Sequence, residues 1–129
     1  MKVLVVGGGG REHALAWTIA RSPRVREVWC APGNGGIARD VRCAPFGCDD
    51  EAGMEEAIRF VRERGIDLTV VGPEAPLVLG IVDRFQEEGL RIFGPNRAAS
   101  RLEGSKCYTK DFLARHGIPT ADYRVFDDP

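Results

Sequence analysis

The sequence has no long hydrophobic run and no excess of charge of one sign. Its first apolar stretch, residues 3–6, is stopped by four glycines, so neither a signal-peptide core nor a membrane span is predicted. Eighteen Lys and Arg residues against nineteen Asp and Glu residues leave a net charge of −1, whereas a nucleic-acid platform would carry a basic excess. We therefore expect a cytoplasmic protein that binds neither nucleic acid nor membranes.

Cysteine is also scarce, and its spacing argues against two kinds of site. The four cysteines form no C-x-x-C pair and have no His pair nearby, so neither a zinc site nor a disulfide scaffold is expected. Free thiols in a reducing compartment are the simpler interpretation. The remaining composition, with 43% hydrophobic and 29% charged residues over 129 positions, is typical of one globular domain.

Short apolar runs alternate with amphipathic segments along the first hundred residues. The run at residues 3–6 is typical of a strand buried on both faces, and residues 51–64 repeat apolar side chains with a helical period. The predicted strands are 3–6, 25–30, 41–44, 67–71 and 91–93, and the predicted helices are 11–21, 51–64 and 75–88. This alternation predicts an α/β fold with a doubly wound parallel sheet. Trp17 and Trp29 are expected in its core.

The last part of the chain follows a different pattern. Residues 105–116 predict a helix that ends at Gly117, and residues 122–126 predict a strand with no partner in the sequence. We therefore expect an N-terminal domain at residues 1–103. Residues 104–129 are expected to be a linker helix and the first strand of a second, truncated domain.

Four glycines, Gly7–Gly10, lie between the first strand and the first helix. Glycines let a backbone approach a ligand closely, and the N-terminus of a helix favours an anion. A dinucleotide-binding G-x-G-x-x-G motif needs a third glycine, but Glu12 or His13 stands at that position, depending on the frame. The acidic residue that should end the second strand is also missing, so NAD(P) binding is not expected. Catalysis by Glu12 or His13 is not the favoured interpretation either.

Three more Gly- and Pro-rich turns follow later strands, at residues 32–36, 72–77 and 94–96. Because the carboxyl ends of parallel strands share one edge, these turns predict a ligand cradle with little side-chain bulk. Glu74 is the one acid inside it. This carboxylate is either a ligand contact, which we favour, or a partner of the following helix dipole.

These segments together resemble the glycinamide ribonucleotide synthetase (phosphoribosylamine–glycine ligase) family of the ATP-grasp superfamily. The resemblance is carried by VLVVGGGGREHALAW at residues 3–17, APGNGG at 31–36, VGPEAPL at 71–77, IFGP at 92–95 and LEGSK at 102–106. It covers the chain from its start to about residue 123 and keeps the motif order. It implies the Rossmann-like pre-ATP-grasp domain, with the later helix leading into a truncated ATP-grasp domain.

By that resemblance, the full enzyme would join glycine to 5-phosphoribosylamine with ATP and Mg²⁺ or Mn²⁺, in purine biosynthesis, and would be a monomer. ATP would phosphorylate the glycine carboxylate, and the ribosylamine would attack the acyl phosphate. The resemblance assigns the phosphoribosyl site to Gly9, Gly10, Arg11, Glu12, Asn34, Gly72, Pro73 and Glu74, and a nucleotide contact to Lys106. It implies no covalent catalytic residue and no metal ligand in this chain. The metal carboxylates and most of the ATP site belong to the rest of the family's longer chain, so this portion alone is expected to bind neither cofactor fully.

Two other interpretations stay open at this point. A non-catalytic nucleotide- or metabolite-binding module would share the cradle without an ATP-grasp continuation. A nicotinamide-dependent reductase would need NAD affinity, against which the missing third glycine argues.

Overall fold

One parallel sheet organises the chain. In the computed structural model, which describes residues 1–126, its strands are β1 (Lys2–Gly7), β2 (Glu27–Pro32), β3 (Arg42–Cys43), β4 (Leu68–Val71) and β5 (Ile92–Phe93). Their order across the sheet is β3-β2-β1-β4-β5, and every pair is parallel. β1 lies at the centre, where Leu4 pairs in register with Trp29 on one side and Thr69 on the other.

Helices cover both faces of this sheet. They are α1 (Gly10–Ala20), α2 (Glu51–Arg64), α3 (Glu74–Leu79), α4 (Ile81–Glu87), α5 (Arg97–Gly104) and α6 (Lys106–Arg115), with a short 3-10 helix at Ile37–Arg39. Along β1, Val5 packs in the core cluster that contains Ala16 of α1, whereas Leu4 packs in the cluster that contains Ile58 of α2 and Phe85 of α4. The apolar run of β1 is thus buried on both faces. The predicted doubly wound α/β fold is confirmed.

The predicted single helix at residues 75–88 is wrong, because the structure divides it into α3 and α4. Gly80 lies between them with a φ of 99°, in the left-handed region that a helix interior does not use. Its N–H still donates to the carbonyls of Pro76 and Leu77, which ends α3. The apolar period continues across the break, so periodicity alone gave no sign of it.

Two differences between the predicted and the observed elements lie near the end of the described chain. α5 was not predicted, although its N-cap signal is present, since the Asn96 side chain accepts from the Ala99 N–H at 3.0 Å. The strand predicted at 122–126 is wrong for this chain, because residues 118–126 carry no secondary structure. A strand needs a neighbour to pair its backbone groups, and none of the described strands offers one. The division into a domain at residues 1–103 and the start of a second one stays a prediction. Residues 127–129 lie outside the described residues.

The two tryptophans have different environments. Trp29 is partly buried against Phe60, with ring centroids 5.2 Å apart, as expected of a core aromatic. Trp17 is 48% exposed on the outer face of α1, where the Arg21 guanidinium lies 4.4 Å from its ring, so the core assignment was wrong for it. α1 packs through Ala16 and Leu15 instead.

Thr69 is a polar side chain in the core of β4. It is fully buried, and its hydroxyl has no hydrogen-bond partner among the described residues. Because Val has the same shape and no hydroxyl to desolvate, we expect Thr69→Val to raise the free energy of unfolding by about 1 kcal/mol. Urea denaturation measures it, with Thr69→Ala as the control that removes packing as well. A fall in stability for Thr69→Val would show that the hydroxyl has a partner.

Glu88 joins α2 to α4 through ion pairs with Arg62 and Arg84. Hydrogen bonds from Arg84 and Arg62 lower the pKa of Glu88 below its ordinary value of 4.5. A lowered folded-state pKa stabilises the fold above the unfolded value, and that stabilisation is lost as the pH falls through the folded-state pKa. Glu88→Gln should therefore reduce stability at neutral pH, and its difference from the parent chain should vanish well below pH 4.5. Thermal melts across pH test this against Glu87→Gln, an exposed neighbour without an ion pair among the described residues. A pH-independent difference would contradict it.

Candidate functional site

The loops that follow β1, β2 and β4 meet at one edge of the sheet. The strand order reverses at β1, because β2 and β3 follow on one side of it and β4 and β5 on the other. A crevice therefore opens at the carboxyl end of β1. The cleft has a volume of about 230 Å³, and its walls include Gly8, Glu12, Pro32, Asp49 and Pro73. Glycines and prolines make up half of the residues that line it, from the turns after β1, β2 and β4. The turn at 94–96, which was also expected in the cradle, does not line the cleft.

Glu12 lies inside this cleft, and it is 5% exposed. Its Oε2 accepts a hydrogen bond from the Gly9 N–H at 2.7 Å, so this carboxylate satisfies the free N–H of the N-cap residue of α1. Its side chain also fills the space beside Gly7 and Gly72, where any Cβ would collide with it. The glycine run predicted that an anion binds at the N-terminus of α1. The structure places the carboxylate of Glu12 there.

Arg11 connects α1 to the loop after β4. Its Nη1 donates to the Gly72 carbonyl at 2.7 Å, and its Nε lies 3.9 Å from Glu12 Oε1. One hydrogen bond therefore spans the crevice between the two loops. The Arg11 side chain remains 61% exposed, so a ligand still has access to it.

Asn34 connects the loops after β1 and β2. Its Nδ2 donates to the Gly8 carbonyl at 2.7 Å, and its Oδ1 accepts from the N–H groups of Gly36 and Ile37. Beside it, the Gly33 N–H donates to the Gly7 carbonyl at 3.1 Å. Direct contacts thus join the predicted residues Gly9, Arg11, Glu12 and Gly72, and Asn34 is joined to them through Gly8.

Glu74 is the first residue of α3, and its side chain is exposed with no hydrogen bond or ion pair among the described residues. It directly follows Pro73, which lines the cleft. Gly10 is equally open, because a Cβ built on it would meet nothing within 4 Å. Neither residue lines the cleft itself, but each is next in sequence to one that does, Gly10 to Gly9 and Glu74 to Pro73.

Lys106 is exposed in the first turn of α6, outside the residues that line the cleft. The helix packs on α5. The structure therefore does not bring the predicted nucleotide contact together with the predicted phosphoribosyl site.

Asp49 lines the cleft, and sequence reasoning missed it. It follows β3, whose two residues pair only at the sheet edge, and it precedes Asp50, which caps α2 by accepting from the Gly53 N–H at 2.7 Å. The sequence did contain a signal, because Asp49 and Asp50 follow the strand predicted at residues 41–44. With Glu12 and Glu74, it makes this edge rich in hydrogen-bond acceptors.

His13 does not line the cleft. Its Nε2 lies 2.6 Å from Asp40 Oδ2, so the ring joins α1 to the segment after the 3-10 helix. Within residues 1–126, no group of three or more His, Cys, Asp or Glu side chains could hold a metal ion. None of the helices described is long and apolar enough to cross a membrane.

Sequence comparison matches this chain to a family model and to curated relatives. Residues 1–103 match the family model described as phosphoribosylglycinamide synthetase, N domain. The phosphoribosylamine–glycine ligase of Allochromatium vinosum is 58% identical over 99% of this chain and 30% of its own length. That of Pseudomonas putida is 56% identical over 99% of this chain and 29% of its own length. The chain thus spans about three-tenths of these relatives.

Solved structures show the same architecture. A crystal structure of phosphoribosylamine–glycine ligase from Thermotoga maritima matches with a TM-score of 0.65 and 33% identity, over 95% of this chain and 26% of that one. The biotin carboxylase domain of Hydrogenobacter thermophilus 2-oxoglutarate carboxylase has a TM-score of 0.67 over 92% of this chain and 28% of that one. At 17% identity, that second likeness shows the fold alone. By the match of residues 1–103, this chain belongs to the family of phosphoribosylglycinamide synthetase N domains.

Proposed function

We propose that this chain is the ribosylamine-binding domain of a longer ATP-grasp ligase that makes glycinamide ribonucleotide from 5-phosphoribosylamine, glycine and ATP. The observation that carries the proposal is the family match over residues 1–103, which include every loop of the cleft. This chain covers about three-tenths of its relatives. That share supports an arrangement in which the rest of the longer chain binds glycine and most of the nucleotide. The free cysteines are consistent with work in the cytoplasm.

The cleft suits the sugar and amine end of the substrate. Glu74 offers a free carboxylate to ribose hydroxyls, and Gly9 and Gly10 let the sugar approach the backbone. Gly72 and Pro73 form the opposite wall. Arg11, Glu12 and Asn34 belong to the same site and hold these loops together, as their hydrogen bonds indicate. Positioning of the amine is the main contribution of such a site to the rate.

ATP supplies the activation of the glycine carboxylate, which is a poor acyl donor until one of its oxygens belongs to a phosphate leaving group. We assign the Lys106 ammonium to a contact with this nucleotide. The described residues supply no metal cluster, so no Mg²⁺ or Mn²⁺ ligand is assigned to them. The 129-residue chain by itself should therefore not make the amide.

Gly10→Val tests the proposal in the longer ligase. A Cβ at this position meets nothing within 4 Å in the free protein, so the fold should tolerate the change, while bulk here blocks close approach of the sugar. We expect KM for phosphoribosylamine to rise about ten-fold, with KM for glycine and ATP unchanged. Gly35→Val is the control, since Gly35 also has open space but lies in the loop after β2 and not at the start of α1. An unchanged KM for phosphoribosylamine, with the parent kcat, would contradict the assignment.

A further inference from the structure

The Gly8–Gly9 peptide unit is held at both of its ends. Its carbonyl accepts a hydrogen bond from Asn34 Nδ2 at 2.7 Å, and its N–H donates to Glu12 Oε2 at 2.7 Å. A peptide between two glycines has the greatest freedom to rotate, because neither neighbour carries a Cβ. Two side chains from different parts of the chain remove that freedom here.

The orientation of the Asn34 amide is fixed by its other contacts. Oδ1 accepts from the N–H of Gly36 at 2.7 Å and from the N–H of Ile37 at 2.9 Å. The opposite assignment would point an amide NH₂ at two other N–H donors. Nδ2 is therefore the atom that faces the Gly8 carbonyl, and it donates.

The glycine loop has no room for side chains of its own that could hold it rigid. A Cβ on Gly8 would lie 2.7 Å from the Gly33 carbonyl oxygen, and a Cβ on Gly9 would lie 2.8 Å from Glu12 Oε2. The backbone can approach a ligand because these side chains are missing, so its orientation must be set from outside. The loop after β2, which carries Asn34, is the element in contact.

We propose that Asn34 is a positioning residue that sets the orientation of the Gly8–Gly9 peptide and so orders the glycine loop for ligand binding. This inference rests on the proposed function for the identity of the ligand, but the orientation of the peptide does not depend on it. Asn34 acts through the glycine loop, whereas Glu74 would contact the ribose itself.

Two variants separate the contacts of Asn34. Asn34→Asp keeps an acceptor for Gly36 and Ile37 but replaces the donor to Gly8, and Asn34→Ala removes both. We expect NMR to show amide exchange at Gly9 about ten-fold faster in both variants, and faster exchange at Gly36 and Ile37 in Asn34→Ala alone. Asn96→Asp is the matched control, because Asn96 caps α5 away from this loop. Unchanged exchange at Gly9 in both variants would overturn the proposal.

Binding of glycinamide ribonucleotide to the same chains gives the second measurement. The Kd should rise about ten-fold in Asn34→Asp and in Asn34→Ala, because both lose the bond to Gly8. Weaker binding with unchanged exchange at Gly9 would make Asn34 a direct ligand contact, and weaker binding in Asn34→Asp alone would be an effect of the new charge. Either result overturns the positioning role. If the parent chain does not bind this ligand, the proposed function fails, and the exchange rates still decide the orientation of the peptide.

Discussion

Gly72→Ala should lower the free energy of unfolding by about 2 kcal/mol, although it adds a single methyl group. The three nearest atoms to a Cβ at this position all belong to Glu12, and that side chain is buried. The methyl group therefore displaces the carboxylate that caps α1 and accepts from Gly9. Thermal or urea denaturation of the 129-residue chain measures the loss. Gly35→Ala is the matched control, because its Cβ meets nothing within 4 Å.

A second substitution shows whether Glu12 is the cause. Glu12→Ala should by itself cost about 1 kcal/mol, as expected for a lost helix cap. In that background Gly72→Ala should cost almost nothing, since the side chain with which it collides is gone. The interaction energy of the double-mutant cycle should thus be about 2 kcal/mol. Additive losses would mean that Gly72 is required for its own backbone and not for the burial of Glu12.

Glu74→Gln should lower kcat/KM for phosphoribosylamine about ten- to hundred-fold in the longer ligase. The substitution keeps the shape but weakens a charge-assisted hydrogen bond, worth about 1.5–3 kcal/mol. If Glu74 only favours the dipole of α3, the change should cost about 0.3–1 kcal/mol of stability and leave the kinetics alone. The Glu74 side chain is exposed and unpaired among the described residues, so its loss should scarcely affect the fold.

The contrast between substrates is the informative part of that experiment. Glycine and ATP should be affected much less than phosphoribosylamine, because we place their sites in the remaining chain. Glu51→Gln is the control, since Glu51 is also an exposed acid in the first turn of a helix but belongs to α2 and not to the loop after β4. Equal losses for all three substrates, or none, would leave Glu74 as a partner of the helix dipole.

The sheet and its ligand edge could be predicted because both depend on local patterns. The apolar run of β1 and the glycine- and proline-rich turns are each visible within a few residues of sequence. The burial of Glu12 was not visible, because it depends on Gly72 of a loop sixty residues away. For the same reason the hydrogen bonds of Arg11 and Asn34 to the carbonyls of Gly72 and Gly8 could not be predicted, and the assignment of both residues to the ligand site stays a prediction.

Other differences have equally specific causes. The break at Gly80 follows from one left-handed backbone conformation inside a continuous apolar pattern. The strand expected at 122–126 has suitable residues but no described strand beside it. Asp49 was missed because β3 pairs through only two residues and so gives a weak signal in the sequence.

Titration of the 129-residue chain with glycinamide ribonucleotide, followed residue by residue with NMR, shows whether the cleft binds the ribosyl substrate. We expect saturable shifts at Gly9, Gly10 and Glu74, with no comparable response to NADH. Residues at the opposite edge of the sheet, such as Asp67 at the amino end of β4, should not move. Saturable binding of NADH at the same loops, or no binding of the ribonucleotide, would show that the cleft is not a ribosylamine site.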